Sequence, residues 1–197
     1  MDLRSDLSII IPNHREPFAC LVESRCRRLY PNAQIIVSND PDGKGKCWAL
    51  REGWAKSDRE IIVFIDGDMD IEPEDIEKLL RYIDSYDIVI AKKSLEKMPL
   101  KRKITSLGYR WLIKLLFRLP VSDTQTGLKV FNRYALYQWN SDGFCCDIEI
   151  LSGAHKRDFT IKEVEINVFT SKQKGLRTIC TMLLQTGILW WRSLYAV

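Results

Sequence analysis

The sequence predicts an α/β fold, a single domain with a mostly parallel sheet flanked by helices. Apolar runs of strand length recur at Leu7–Ile11 (LSIII), Ala33–Ser38 (AQIIVS), Ile61–Ile65 (IIVFI) and Tyr86–Ala91 (YDIVIA). Segments with a helical pattern separate them, and strand–helix–strand alternation implies parallel βαβ units. With 197 residues, 46% of them hydrophobic and 28% charged, one ordinary globular domain is expected.

Taken in order, Leu7–Ile11 is closed by Pro12 and reads as a first buried strand, with PNHREP as the loop at its C-terminal end. Residues 18–29 are helical in pattern, and Tyr30-Pro31-Asn32 ends them. The second strand, Ala33–Ser38, stops at the turn Asn39-Asp40-Pro41-Asp42-Gly43. Gly43-Lys44-Gly45-Lys46 then opens a helix over Cys47–Lys56. Such a loop can hold phosphate through backbone N–H groups and lysines, but its spacing is not that of a P-loop and many such turns are only turns. Ile71-Glu72-Pro73-Glu74 starts a helix that runs to about Asp84, with Pro in the first turn and acids at the positive end of the dipole.

Residues 92–103 read as a basic loop and 104–118 as an amphipathic helix, with Leu107, Trp111, Leu112, Leu115 and Leu116 near one face. That face either packs on the core while the bases snorkel or lies at a membrane interface. Asp123–Gly127 (DTQTG) is a polar loop before the strand LKVFN. A helical pattern follows Ala135, a turn follows at Asn140–Gly143, and Phe144–Leu151 (FCCDIEIL) enters a helix with Asp147 near its start. Thr160–Phe169 is strand-like. Residues 176–195 approach the length of a bilayer span, but Arg177, Thr178, Thr181, Gln185, Thr186 and Arg192 are too polar for one. Trp190, Trp191 and Tyr195 beside Arg192 suit an interface, so 176–197 is expected to be an interfacial helix appended to a domain over 1–175.

Net charge is +4, but residues 92–118 carry nine Lys or Arg against one Glu, a local +8. Such a block seeks phosphates. No DNA- or RNA-binding motif accompanies it, so nucleic acid is not an expected partner. The six cysteines (20, 26, 47, 145, 146 and 180) form no CxxC pair and no Cys/His cluster. They are expected to be reduced thiols in a cytosolic compartment. MDLRSDLS leads directly into a strand, so no secretory leader is expected.

The chemistry concentrates in Ile61–Asp70 (IIVFIDGDMD), where a buried strand ends in Asp66, Asp68 and Asp70. Strand ends of open α/β sheets are where ligands bind. Three carboxylates two apart repel unless a cation or a basic ligand sits among them, and hard oxygens suit Mg²⁺ or Mn²⁺. The plainer alternative is a solvated acidic turn.

IIIPNHRE, IIVSND, GKGKCWALREGW, IIVFIDGDMD, DTQTGLKVFNR and FCCDIEIL, in that order, resemble the family 2 glycosyltransferases. The likeness is strongest to the branch that glycosylates polyprenyl and dolichyl phosphates, and it covers roughly residues 7–175. The resemblance implies the GT-A, Rossmann-like fold with a mixed, mostly parallel sheet. It implies a nucleotide-sugar site, for a UDP- or GDP-sugar, at Pro12, Asn13, Glu16, Asp40, Lys44, Lys46, Asp66 and Asp68. Asp66 and Asp68 match the DXD motif that holds Mg²⁺ or Mn²⁺, and Asp70 stands where this branch often has Gln, also a metal ligand. Lys93, Arg102, Ser106, Gln125, Thr126, Lys129 and Lys172 match positions facing the acceptor phosphate. Asp68, Asp147 and Asp123 are the candidate catalytic groups, and Glu149 lies in the segment near the reacting centre.

Two departures stand out. The family usually carries a helix and a strand between the acid after its second strand and the Gly-Lys-Gly segment, yet here Asp40 is followed almost at once by Gly43. The nucleotide side is therefore expected to be shortened. Lys93 stands where Arg is usual, which removes bidentate phosphate geometry. The implied reaction is inverting hexose transfer to a polyprenyl phosphate, by a peripheral protein at the cytoplasmic face of a membrane. The alternatives are transfer to a saccharide hydroxyl, with Asp147 or Asp123 as base, and a degenerate nucleotide-sugar binder.

Overall fold

The computed structural model describes residues 6–14, 16–94, 100–141, 143, 145–168 and 176–195. Among the described residues six strands form one sheet: β1 (Leu7–Asn13), β2 (Gln34–Asn39), β3 (Ile61–Phe64), β4 (Ile88–Lys93), β5 (Lys129–Asn132) and β6 (Ile161–Ile166). Their order is β2-β1-β3-β5-β4-β6. Only β5 runs against its neighbours β3 and β4, and the other pairs are parallel. The sheet is thus mixed and mostly parallel, as the apolar runs predict.

The helices are α1 (Ala19–Leu29), α2 (Lys46–Ala55), α3 (Ile76–Leu80, after a 3₁₀ turn at Pro73–Asp75), α4 (Leu100–Phe117), α5 (Cys146–His155) and α6 (Leu176–Tyr195). Side chains alternate across each strand, and the sheet therefore builds two cores. Ile10, Ile62, Phe64, Ile90 and Phe131 face one way, toward Leu50 of α2, Ile113 of α4 and Ile148 of α5. Ile9, Ile11, Val63, Ile65, Val89 and Val130 face the other, toward Val22 of α1 and Leu79 of α3. Among the described residues no helix is long and apolar enough to cross a membrane.

Four expectations are corrected. Pro12 is not in a loop but is buried within β1. Part of the expected basic loop is helical, because α4 already begins at Leu100. The helix expected after Ala135 does not form: a single 3₁₀ turn at Arg133–Ala135 gives way to irregular chain. That path lets Leu136 and Trp139 enter the core, where Trp139 stacks on Trp54 with ring centroids 5.6 Å apart. The N–H groups of Asn140 and Ser141 donate to the Glu149 carboxylate instead of to helical carbonyls. Glu149 is thereby engaged in capping this segment.

The fourth correction concerns the thiols. Cys47 and Cys146 form a disulfide across 99 residues, while Cys20, Cys26, Cys145 and Cys180 are free. The N-terminal ends of α2 and α5 bring the two Cα atoms to 6.0 Å, within the normal bridging range. The cytosolic expectation loses the thiol argument on which it rested.

Candidate active site

β3 lies in the middle of the sheet, and its C-terminal end delivers the acids. The ladder continues one step past Phe64: Ile65 N–H donates to Ile10 O at 3.1 Å and Asp66 N–H donates to Gly127 O at 3.2 Å. Asp66 is thus held between β1 and the chain entering β5. Gly127 is required there, because a Cβ at that position would overlap the Asp66 carboxylate.

Opposite Asp66 stands Lys46, the first residue of α2, with Nζ 2.7 Å from Asp66 Oδ1. The two side chains keep 35% and 28% of their surface in solvent, so the pair remains open to a ligand. Burial would raise the Asp66 pKa, but Lys46 above all, then Lys129 and Lys93, hold it below the usual carboxylate range. Burial would lower Lys46, but Asp66, with Asp147 and Asp68, leaves it raised.

The loop that positions Lys46 is built on Asp40. Its Oδ1 accepts Lys44 N–H at 2.9 Å and its Oδ2 accepts Gly45 N–H at 2.7 Å. Gly45 is the N-cap of α2 with φ +105, which only glycine adopts without strain. His14 Nδ1 lies 3.0 Å from Asp40 O. The Asp40 carboxylate is therefore fully enclosed and faces its own loop, not an incoming base or ribose. Asn13 ties the ends of β1 and β2 together through Asn39 at 2.7 Å and accepts Glu16 N–H at 3.0 Å. Lys44 is exposed; its Nζ lies 4.7 Å from the Trp48 ring centroid and 3.2 Å from Asp42 Oδ2.

Behind Asp66 runs a second, buried pair. Lys129 is 1% exposed; its Nζ donates to Asp147 Oδ1 at 2.7 Å and to Thr126 O. Burial lowers the Lys129 pKa, and the attraction of Asp147 only partly offsets this. The Thr126 hydroxyl is buried with no partner among the described residues.

Toward β4 and α4 lies a third pair. Asp123 accepts Lys93 N–H at 3.0 Å and forms an ion pair with Arg110. Glu163 of β6 holds this loop by accepting Ser122 N–H and Asp123 N–H, both at 2.7 Å. Gln125 reaches Tyr109 OH at 3.3 Å, and Tyr109 meets Thr186 of α6 at 2.9 Å. Burial pushes the Tyr109 phenol up to about 12.

The sequence-predicted residues thus divide. Lys46, Asp66, Asp68, Lys93, Lys129 and Asp147 share one electrostatic neighbourhood. Asp40, Pro12 and Asn13 are structural supports of it. Ser106 is half-buried on α4, Arg102 lies on α4 with its side chain outside the described set, and Lys172 is outside the described residues. Sequence reasoning missed Arg110 as a site residue, although it lies inside the +8 window.

The donor set fits a hard divalent cation. Burial first, and then the charges of Asp66, Asp70 and Glu16, raise the Asp68 pKa despite the N–H donated by Asp70. A cation would relieve that crowding. Among the described residues no three acids converge into a ready cage, because Asp66 is engaged by Lys46. The expected three-carboxylate set of Asp66, Asp68 and Asp70 is thus not preassembled. Mg²⁺ is usually held by one or two carboxylates plus substrate phosphates, and Asp68 with Asp66 meets that need.

Comparison with known proteins bears on the family and the fold. The sequence model of Glycosyl transferase family 2 matches residues 22–139. Two dolichyl-phosphate beta-glucosyltransferases of Trichomonas vaginalis are 28% and 30% identical, over 85% and 81% of this chain and 56% and 54% of theirs. The chain therefore spans about half the length of these curated relatives. A solved structure of glucosyl-3-phosphoglycerate synthase from Mycobacterium tuberculosis, in complex with Mn²⁺, UDP-glucose and glycerol 3-phosphate, superposes with a TM-score of 0.65. It covers 92% of this chain and 80% of its own at 18% identity, a likeness of fold.

Proposed function

The chain belongs to glycosyl transferase family 2, and from that premise we propose that it transfers a hexose from a nucleotide-sugar to a polyprenyl phosphate of the dolichyl type. The observation that carries the acceptor choice is the state of the two candidate bases. Asp147 is engaged by buried Lys129, and Asp123 by Arg110 and the Lys93 N–H. Both carboxylates already hold cationic partners, so neither stands free to take a proton from a saccharide hydroxyl. A phosphate acceptor is already ionised and needs none.

On the donor side, Lys46 and the Asp40-anchored loop receive the diphosphate, and Asp66 and Asp68 are the DXD pair that would hold Mg²⁺ or Mn²⁺. The ion, when bound, would neutralise the leaving diphosphate. Lys93 borders the same acids from the acceptor side and would orient the attacking phosphate. Attack from the face opposite the diphosphate inverts the anomeric carbon. The dolichyl-phosphate relatives support this acceptor, and the UDP-glucose complex of the fold neighbour supports a UDP-sugar donor. Membrane contact would come through α4 and α6. Their exposed Trp111 and Trp191 suit an interface.

The test is transfer of radiolabelled sugar from UDP- or GDP-sugars to polyprenyl phosphate with Mg²⁺ or Mn²⁺; no transfer from any of them would sink the assignment. Asp147→Asn separates the acceptor classes. It is expected to retain transfer to a phosphate within about tenfold, whereas loss of about 10²- to 10⁴-fold would identify Asp147 as a general base.

A further inference from the structure

Beside the site, toward the β6 edge of the sheet, is a cavity of about 290 Å³ lined by Lys92, Leu107, Arg110, Trp111, Lys114 and Ser122. Arg110 is neutralised by Asp123, and Ser122 is engaged by Glu163, so this pair of contacts forms the wall on the catalytic side. The side chains of Lys92 and Lys114 have no ion pair or hydrogen bond among the described residues. The acid nearest in register is Glu165 of β6, paired with Lys92 across the ladder, and it makes no ion pair with it. The cavity thus presents two unneutralised ammonium groups beside an indole and a leucine.

Its surroundings say what kind of molecule brings the anion. Leu100, Ile104, Leu107, Trp111 and Leu115 are all exposed, and their spacing places them in one stripe along α4. Trp111 alone is 66% exposed. On α6, Leu183, Leu184, Ile188 and Trp191 form a second exposed stripe. The Tyr109–Thr186 hydrogen bond joins the two helices. A soluble phosphate would use the lysines but not these stripes. An amphiphile uses both, and anionic headgroups attract basic groups near a bilayer surface.

We propose that this cavity is a headgroup site for an anionic phospholipid of the bilayer, distinct from the place of the acceptor phosphate. The phosphodiester lies between Lys92 and Lys114, with the Trp111 ring at the glycerol level, which turns the acid-bearing end of β3 toward the membrane. The proposal rests on the membrane contact put forward above, but not on the transfer reaction.

The test is co-sedimentation of the full chain with vesicles, without any nucleotide-sugar. Phosphatidylcholine vesicles are compared with phosphatidylcholine containing phosphatidylglycerol, and with phosphatidylcholine containing polyprenyl phosphate. Each lysine near an anionic surface is worth about fivefold in partitioning, so Lys92→Ala/Lys114→Ala is expected to lose about 30-fold on phosphatidylglycerol vesicles. The control Arg118→Ala/Arg192→Ala, at exposed bases outside the cavity lining, is expected to lose less. Equal losses in the two pairs would mean diffuse attraction and overturn the proposal, as would equal binding to neutral and anionic vesicles. Lysine-dependent binding seen only with polyprenyl phosphate would make the cavity the acceptor's own site and also overturn it. Lys114→Glu, at an exposed position, repeats the test in a variant that leaves the core untouched. Failure of sugar transfer alone would leave these outcomes unchanged.

Discussion

The two walls of the site are built in opposite ways. On the donor wall the polar groups at the strand ends bind one another: Asp40 binds the backbone of Lys44 and Gly45, Asn13 binds Asn39, and Lys46 meets Asp66. On the acceptor wall α4 and α6 turn apolar side chains outward, beside Lys92 of β4 and Lys114 of α4. A short wall that needs a defined shape obtains it from hydrogen bonds between neighbouring loops. A wall that meets a large, soft partner leaves its surface unsatisfied until that partner arrives. The shortened segment after Asp40 is consistent with this, because one enclosed carboxylate orders the whole turn.

The contrast breaks most severely where the walls share a floor. Lys129→Met leaves Asp147 buried without its cation and is expected to reduce stability by about 3–5 kcal/mol in chemical denaturation. Lys129→Met/Asp147→Leu should recover most of that loss, since a packed apolar pair replaces the ionic one. A loss below about 1 kcal/mol in the single variant would mean that water already reaches the pair.

Asp68→Asn tests the donor wall alone. Transfer is expected to fall on the order of 10²- to 10³-fold, the usual effect of removing one group that stabilises developing charge. Stability with chelator present should not fall, because the crowded Asp68 charge is unfavourable in the folded protein. The disulfide tests how far the two walls depend on each other. It joins α2, which carries Lys46, to α5, which carries Asp147. Dithiothreitol, or Cys47→Ser/Cys146→Ser, is expected to lower stability by about 2–4 kcal/mol while leaving vesicle binding by α4 and α6 intact. Free thiol at both positions in the non-reduced protein, found by mass spectrometry after alkylation, would remove this link.

What was legible in the sequence follows the same division. The strands were readable because runs such as Ile61–Phe64 announce burial locally, and the acids after them announce a site. The partners of those acids were not readable. Arg110 meets Asp123 only because α4 lies across the end of β4, and Cys47 meets Cys146 only because two helix ends converge. Asp40 was placed toward the nucleotide because an acid after a strand carries no mark of which way it turns; two N–H groups four and five residues later decide it. The helix expected after Ala135 failed for a tertiary reason, the filling of the core by Trp139.

The smallest expected effect is a pH signature that separates the two acids of one motif. Asp66 has a lowered folded pKa, so its contribution is present above the ordinary aspartate range and is lost as pH falls through the folded value. Asp68 has a raised folded pKa, so the folded state binds its proton more tightly than the unfolded chain does. Stability from this group therefore decreases as pH rises from the ordinary aspartate value to the raised one, and the penalty stays constant above it. Denaturation of the chelator-treated protein should show a rise of stability with pH below the ordinary aspartate value, from Asp66, and a fall above it, from Asp68. Asp68→Asn should remove the fall above the ordinary value and leave the rise that comes from Asp66. Asp66→Asn should flatten or reverse it. Adding Mn²⁺ to the wild type should stabilise it more as pH rises through the Asp68 value, since the ion competes with that proton. Parallel curves for the wild type and Asp68→Asn would show that the neighbouring charges do not reach Asp68, and that a cation finds no crowded carboxylate to relieve.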